Sequence, residues 1–440
     1  MKRPTAFISG LLLTNLLTSL LAAPALAAAD WPMFKYNPAR EGRAPQRPAI
    51  TRPHLRWKAP VGVAGWLNSP VIADGTVFVG SGGYLWDLPD YEEYQGQRPT
   101  DGVYAFDLLT GQRKWYAPAE NDVNNVVWAE GKLIATGDEG AIWALDPHSG
   151  KQLWRTELKG IGFQLLPLGR RVIVGDDSGQ LAWVDIASGK IAASSQLDGV
   201  VRSGAASDGQ TVFTATLQGT VYAYDLDGRL KWKQSLREIY PEFAASETQL
   251  EIYGAPTVYK DMVVVGFARD SYYDAPALVA LDRHNGRLRW KGTAYAGKSE
   301  WGNIRTSPAV FNNMLFYAEP YSNTVVAVDG LNGKAAGGLE VGAPMFPQWS
   351  SPAIAADTLY VPRFDGGLYA ISANKAQLLW SFYLGSPGYA GPKIPEALLG
   401  LQDPEWKPPI GDAIYASPAI AADGSILIPA AGFLYCISEE

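Results

Sequence analysis

The chain has 440 residues, of which 47% are hydrophobic and 18% are charged, and its formal net charge is −7 at pH 7. The high apolar content excludes a disordered chain, and the many glycines and prolines exclude a long coiled coil. No long run of like charge occurs, so nothing indicates a nucleic-acid-binding surface. Plentiful glycine, proline, tryptophan and tyrosine are typical of short strands joined by tight turns.

The first 27 residues are predicted to be a secretory signal peptide. Lys2 and Arg3 form a basic start, residues 6–23 are mostly apolar, and residues 25–27 read Ala-Leu-Ala, a pattern typical of a cleavage site. The alternative is an uncleaved membrane anchor, which the polar residues within the apolar stretch disfavour. No cysteine lies near the cleavage point. We therefore expect a soluble exported protein, periplasmic or extracellular, without a lipid anchor and without a transmembrane segment after cleavage.

An isolated strand is predicted near residues 55–58, which read Leu-Arg-Trp-Lys. A phrase of alternating small and large apolar residues that ends in Asp or Ser then recurs along the chain. Its eight copies are 103–107, 142–146, 181–185, 221–225, 278–282, 325–329, 368–372 and 434–438. Most copies lead into a glycine turn and a tryptophan, and two further strand-like runs precede each copy. The repeating unit is therefore four short strands, here named A to D in chain order.

This repeat predicts an all-β fold, an eight-bladed β-propeller of four-stranded blades. One such sheet cannot bury both of its faces, whereas blades packed in a ring can. The eighth copy has no strand D, and residues 55–58 are identical to the strand D segment 288–291. We expect the N-terminal strand to complete the last blade, so that residues 28–440 form one closed domain. A linear solenoid is the alternative, and it would not need a shared blade.

Tryptophans that lead into strand D are predicted to dock between neighbouring blades, with the indole N–H bonded to a turn. These structural residues are Trp57, Trp115, Trp154, Trp232, Trp290 and Trp380. The third and sixth copies have Ala193 and Gly337 where the tryptophan would fall.

The phrase Ala-x-Asp-x-x-Thr-Gly-x-x-x-Trp at 105–115, with variants at 144–154 and 280–290, resembles the tryptophan-docking signature of the pyrroloquinoline-quinone (PQQ)-like repeat family. The opening residues 30–34 are also similar to the start of secreted members. The resemblance implies a propeller like that of the quinoprotein alcohol dehydrogenases and of BamB, the propeller component of the outer-membrane barrel assembly machinery. Many of the enzymes carry an adjacent cysteine pair, and Cys436 is the only cysteine here.

Strand order predicts that every long insertion lies on one face of the propeller, the insertion face. The insertions are 82–102, 235–251, 268–276, 292–302 and 384–412. Strand A starts on this face, so residues just before it are predicted to line the mouth of the central channel. The candidate ligand-binding residues are Asn68, Arg202, Tyr253, Arg305, Trp349 and Tyr415.

Two guanidinium groups beside aromatic rings can hold an anionic or planar ligand. The alternative is that these arginines pair with loop acids such as Glu251 or Glu300. Within the first insertion, the acidic residues of 87–93 lie among aromatic residues. That loop is interpreted as a lid over the propeller, with a protein contact or a calcium site as the alternatives.

No catalytic motif or metal-ligand spacing is present, and His54, His148 and His284 do not cluster in sequence. We therefore expect a non-catalytic scaffold in the cell envelope that binds other envelope or secreted proteins, with no cofactor and no metal. The first alternative is a quinoprotein dehydrogenase that depends on calcium and PQQ but lacks the cysteine pair. The second is a binder of glycans or anionic metabolites.

Overall fold

The computed structural model describes residues 30–44, 46–65, 68–82, 101–243, 250–268, 278–293, 304–319, 323–342, 349–385, 388–391 and 411–440. Two strands, β1 (Arg43–Ala44) and β2 (Pro53–Pro60), precede the repeats. The helices described are one α-helical turn, α1 (Leu236–Ile239), and a 3-10 turn (Pro241–Phe243). In these ranges no helix is long and apolar enough to span a membrane.

Eight antiparallel sheets each contain three or four consecutive strands of the repeat. Blade 1 contains β3 (Val71–Ala73), β4 (Thr76–Ser81), β5 (Gly102–Asp107) and β6 (Arg113–Pro118). Blade 2 contains β7 (Val123–Ala129), β8 (Lys132–Gly137), β9 (Ala141–Leu145) and β10 (Gln152–Glu157). Blade 3 contains β11 (Gly162–Leu168), β12 (Arg171–Asp176), β13 (Gln180–Asp185) and β14 (Ile191–Gln196). Blade 4 contains β15 (Ala205–Ser207), β16 (Thr211–Ala215), β17 (Thr220–Asp225) and β18 (Leu230–Ser235).

The second half of the chain repeats this arrangement. Blade 5 contains β19 (Thr257–Tyr259), β20 (Met262–Gly266), β21 (Leu278–Asp282) and β22 (Leu288–Lys291). Blade 6 contains β23 (Ala309–Phe311), β24 (Met314–Ala318), β25 (Thr324–Asp329) and β26 (Ala335–Glu340). Blade 7 contains β27 (Ala353–Ala355), β28 (Thr358–Pro362), β29 (Gly367–Ser372) and β30 (Gln377–Tyr383), extended by β1 and by β31 (Gly388–Gly391). Blade 8 contains β32 (Ala419–Ile420), β33 (Ile426–Ala430) and β34 (Phe433–Glu439).

The ring is closed by the two ends of the chain, as the sequence predicts. Strand β2 is the fourth strand of blade 8 and pairs antiparallel with β34, with Leu55 opposite Ile437 and Trp57 opposite Cys436. The strand is longer than the predicted segment, because pairing extends over most of β34. Closure removes a free sheet edge from the last blade. The predicted eight-bladed all-β propeller is therefore confirmed.

Tryptophans of the fourth strands link six of the eight blades to the next blade. The indole nitrogens donate to turn carbonyls at 2.9–3.1 Å, in the pairs Trp57–Leu108, Trp115–Pro147, Trp154–Ile186, Trp232–Arg283 and Trp290–Gly330. Gly111 shows why the turn needs glycine, since it has a φ of 70° and a Cβ there would meet the Trp57 ring. Trp380 donates instead to the carbonyl of Ile50, at 2.8 Å. Blade 8 has no covalent turn at this place, and Ile50 immediately precedes the strand that completes it.

In blade 3, the contact with the next blade is made by a residue from a different strand. Ala193 replaces the usual tryptophan, and Trp183 of β13 lies fully buried beside Gly228 in the turn of blade 4. The Trp183 ring also contacts Tyr224 of blade 4, with centroids 5.4 Å apart. The interface between blades 3 and 4 is thus filled from strand C.

One end of the channel is crossed by residues 30–44, which we name the N-terminal strap. Its backbone bonds to the first strands of six blades, at Ile72, Trp128, Ser207, Val258, Val310 and Ile354. The Arg40 guanidinium donates to the carbonyls of Leu165 in blade 3 and Ala205 in blade 4, at 2.8 and 2.9 Å. The strap therefore contacts blades 1 to 7 at the end near the A–B turns, which we name the turn face. The sequence analysis did not predict this element.

Two cations of the strap are fully buried. The Lys35 ammonium donates to the carbonyls of Ser307 and Pro352, at 3.3 and 2.8 Å. Burial lowers the pKa of Lys35 well below its usual range and lowers that of Arg40 to about 9. Their hydrogen bonds to backbone carbonyls offset part of this desolvation and fix the strap against blades on both sides of the ring.

Replacing Trp57 by alanine is expected to lower the free energy of unfolding by about 3–5 kcal/mol, because it removes a buried indole and leaves the Leu108 carbonyl without its donor. Leu55→Ala is a matched control, since Leu55 lies on the same strand and is 41% exposed. Its expected effect is below about 1 kcal/mol. Urea unfolding followed by circular dichroism measures both variants, and equal effects would contradict the role of Trp57 in closure.

Candidate functional site

The candidate mouth residues occupy equivalent places in successive blades. Tyr253, Arg305, Trp349 and Tyr415 each lie four residues before the first strand of blades 5 to 8, and Arg202 lies three residues before that of blade 4. The first strands contact one another around the ring, so they line the channel. Residues that precede them stand at its mouth on the insertion face.

A cation–π stack forms where blades 5, 6 and 7 meet. The Arg305 guanidinium carbon lies 4.7 Å from the centroid of the Tyr253 ring and 4.6 Å from that of the Trp349 ring. The two rings meet edge to face, with centroids 5.6 Å apart. Contact with two aromatic rings holds the Arg305 guanidinium in place.

Tyr253 is held on its other side by an acid. Its hydroxyl donates to the Glu251 carboxylate at 2.6 Å. Burial and the Glu251 charge raise the pKa of Tyr253 to about 12, although the nearby charges of Arg305 and Arg202 act in the opposite direction. Tyr253 therefore stays a neutral hydrogen-bond donor across the physiological pH range, and Glu251 orients its ring.

Arg202 adds a second cation from blade 4. Its guanidinium carbon lies 5.0 Å from the Phe163 ring centroid. Its Nε is buried and has no hydrogen-bond partner, and no ion pair includes Arg202 in the described part of the chain. The alternative that the mouth arginines pair with loop acids stays a prediction. Glu251 accepts from Tyr253, and Glu300 lies outside the described residues.

Two predicted site residues are placed apart from this stack. Tyr415 packs edge to face on Phe364, with centroids 4.9 Å apart, and burial raises its pKa. Asn68 is fully buried and donates its amide to the carbonyls of Gly80 and Val123, at 2.8 and 3.0 Å. Asn68 therefore links blades 1 and 2. The structure brings together Tyr253, Arg305 and Trp349. Arg202 lies close enough for its charge to act on the pKa of Tyr253.

Below the mouth, hydroxyl groups join the first strands of neighbouring blades. The backbone nitrogen of Ser307 donates to the Ser351 hydroxyl at 3.0 Å, and that of Ser351 donates to the Ser417 hydroxyl at 2.8 Å. The Thr306 hydroxyl is buried and has no partner among the residues that the structure describes. Since the strap crosses the far end of the channel, the mouth opens into a polar cup rather than a through passage.

A group of three carboxylates on the insertion face was missed from the sequence. Asp101, Asp122 and Asp138 come from blades 1 and 2, and burial together with the charges of the other two raises the pKa of Asp122 to about 6. Asn124 donates to Asp138 at 2.7 Å. These aspartates follow or precede different strands, so only the propeller topology brings them together. The predicted acidic loop at 87–93 lies outside the described residues.

The alternative that calcium and PQQ bind this protein stays a prediction. In these ranges no three His, Cys, Asp or Glu residues are grouped so that they could hold a metal ion. Cys436 is buried within β34, where burial raises the pKa of its thiol to about 12. One face of Trp349 is covered by Arg305, and a planar cofactor would need such a face.

The family described as outer membrane protein assembly factor BamB matches residues 99–199, 177–345 and 269–392. The chain belongs to this family. The Bordetella pertussis BamB is 36% identical over 74 residues, which are 17% of this chain and 19% of that protein. The Legionella pneumophila BamB is 26% identical over 154 residues, which are 34% of this chain and 35% of that protein. The alignments therefore span about a fifth to a third of these relatives.

Two solved structures share the fold. BamB from Moraxella catarrhalis is 15% identical with a TM-score of 0.59, and the match covers 88% of this chain and 99% of that one. A europium-containing methanol dehydrogenase is 14% identical with a TM-score of 0.63, and the match covers 93% and 98%. At these identities the likeness shows the propeller alone, because the same fold serves scaffolds and enzymes.

Asp122→Asn is expected to flatten the pH dependence of stability. The folded-state pKa of Asp122, about 6, lies above its unfolded value of 3.8, so its stabilising contribution is complete below pH 3.8 and is lost as the pH rises through 6. The variant should therefore gain stability relative to the unchanged protein between about pH 4 and 7.5. Urea unfolding at both pH values tests this, with Asp74→Asn in an exposed turn as the control. A difference in the free energy of unfolding between variant and unchanged protein that is the same at both pH values would contradict this prediction.

Proposed function

We propose that the protein is an exported, non-catalytic scaffold of the cell envelope, which binds other envelope proteins through the insertion face in the manner of BamB. Family membership supports this role, since the matching family and both aligned relatives are described as outer membrane protein assembly factors. The N-terminal sequence expected of a secreted protein supports export. We further propose that the protein is periplasmic or extracellular.

The observation that carries the proposal is the cationic stack at the channel mouth. Arg305 contacts both Tyr253 and Trp349, and Arg202 lies nearby on Phe163. Aromatic and arginine side chains are enriched where protein partners bind, because they bring large contact area together with charge and hydrogen-bond donors. The stack stands on the face where loops are long, and such loops are where propellers place binding residues.

Chemistry at the mouth favours an acidic group on the partner. A carboxylate can accept hydrogen bonds from a guanidinium that packs against aromatic rings. The polar cup below the mouth would accept the tip of a side chain or loop, and the strap prevents a segment from passing through. An acidic loop of a partner protein therefore suits this site.

Binding of an unfolded outer-membrane β-barrel protein, diluted from urea, tests the scaffold function. The variant Arg202→Gln/Arg305→Gln is expected to bind this probe about tenfold more weakly, and the difference should shrink as salt is added. The matched control is Arg113→Gln/Arg287→Gln, two exposed arginines away from the mouth, which should bind like the unchanged protein. Equal affinities for all three proteins would refute the site.

A second measurement separates the scaffold from the quinoprotein dehydrogenase. The purified protein is titrated with PQQ in the presence of CaCl₂, and dye reduction is followed with methanol and glucose. Weak, non-stoichiometric binding and no dye reduction are expected. Stoichiometric PQQ binding accompanied by alcohol-dependent dye reduction would overturn the non-catalytic proposal, even if the barrel protein also binds.

A further inference from the structure

A separate cavity of about 450 Å³ lies on the turn face, between the strap and the A–B turns of blades 5 and 6. The side chains that define its chemistry are Tyr36, Asn37, Glu41, Arg43, Arg47 and Asn312. Its volume falls within the range of small-molecule sites, but its lining is more polar than most of them. It belongs to the opposite end of the propeller from the cationic mouth.

Arg43 is presented to this cavity by the strap. Strand β1 pairs in parallel with β27, with Arg43 opposite Ile354 and Ala44 opposite Ala355. Successive residues of a strand point to opposite sides, so buried Ala44 faces the core and Arg43 faces outward. The Arg43 guanidinium carbon lies 4.8 Å from the Phe311 ring centroid, which fixes its plane.

Among the described residues, no side-chain hydrogen bond is made by the Arg43 guanidinium. Its Nε is buried and has no hydrogen-bond partner, and no ion pair includes Arg43 across the described ranges. A half-buried guanidinium without partners costs free energy unless a ligand or solvent meets it. Since this residue borders a cavity rather than open surface, the vacant donors point to an anionic ligand.

The rest of the lining supplies a second cation and neutral hydrogen-bonding groups. Arg47 reaches the cavity while one of its nitrogens contacts Asp30, at 3.5 Å from the carboxylate and 3.2 Å from the carbonyl. The Asn37 amide donates a hydrogen bond to one oxygen of the Glu41 carboxylate at 2.8 Å, and this bond orients the carboxylate. An acid and amides beside two arginines match a ligand that has hydroxyl groups as well as an anionic group.

We propose that this cavity is a second binding site, which takes a small hydroxylated organic anion such as a sugar that carries a phosphate or a carboxylate. Arg43 binds the anionic oxygens through its vacant donors, with Arg47 as the second cation. Glu41 and Asn312 hydrogen-bond the hydroxyl groups, and the Tyr36 ring packs against the body of the ligand. The site is independent of the channel mouth, because it lies on the other face and shares no residue with it.

Isothermal titration calorimetry with four probes tests this site. Glucose 6-phosphate and glucuronate carry the two possible anionic groups on a sugar, and whichever binds identifies the group. Glucose lacks the charge, and inorganic phosphate lacks the sugar. We expect at least one sugar anion to bind more tightly than glucose and inorganic phosphate by about tenfold or more. Binding should also slow hydrogen exchange of the strap.

Arg43→Gln is expected to weaken the binding of that sugar anion by about tenfold or more, while Arg113→Gln on the exposed strand β6 leaves it unchanged. The Arg43 side chain has no hydrogen bond or ion pair to a described residue, so the variant should fold, and circular dichroism checks this. Failure of both sugar anions to bind at about 10 mM would refute the proposal. It would also fail if glucose or inorganic phosphate bound equally well, or if the two variants behaved alike.

Discussion

The antiparallel pairing of β2 with β34 is the constraint on which the rest of the molecule depends. It joins residues near the two ends of the chain, and Trp57 from the same strand then bonds to the turn of blade 1. Without this pairing, blade 8 would have three strands, and β34 would be left unpaired on its outer side. The interfaces around the ring repeat one another, so closure fixes the angle between all neighbouring blades. The positions of the mouth residues follow from that angle, because each is carried by a different blade.

The two ends of the channel differ in chemistry because different parts of the chain form them. At the mouth, arginines from blades 4 and 6 stack on aromatic rings from blades 3, 5 and 7. At the turn face, the strap covers the channel and places its own arginine over a cavity. The buried charges of Lys35 and Arg40 separate the two ends. The two proposed binding surfaces therefore share no residue.

The repeat made the fold predictable. Eight copies of one phrase required eight similar units, and the identity of 55–58 with 288–291 revealed which strand completes the last blade. The alignment of blades also placed Tyr253, Arg305 and Trp349 next to one another. It did not reveal that Arg305 contacts both rings, nor that Asn68 links blades 1 and 2, because rotamers and hydrogen bonds depend on atomic distances. The strap was missed for a related reason. It has no repeat pattern, and its contacts are mostly backbone bonds to distant residues, which leave little trace in sequence.

The strap also determines at which stage folding of the propeller can be completed. Lys35 bonds to carbonyls that lie 272 and 317 positions further along the chain. Contacts over such separations form late, since the intervening polypeptide must first be ordered. We therefore expect residues 30–44 to remain accessible to proteases until the sixth and seventh blades have formed. Only then is this segment protected from cleavage. Resistance of residues 30–44 to digestion is consequently a marker of completed assembly rather than of local order.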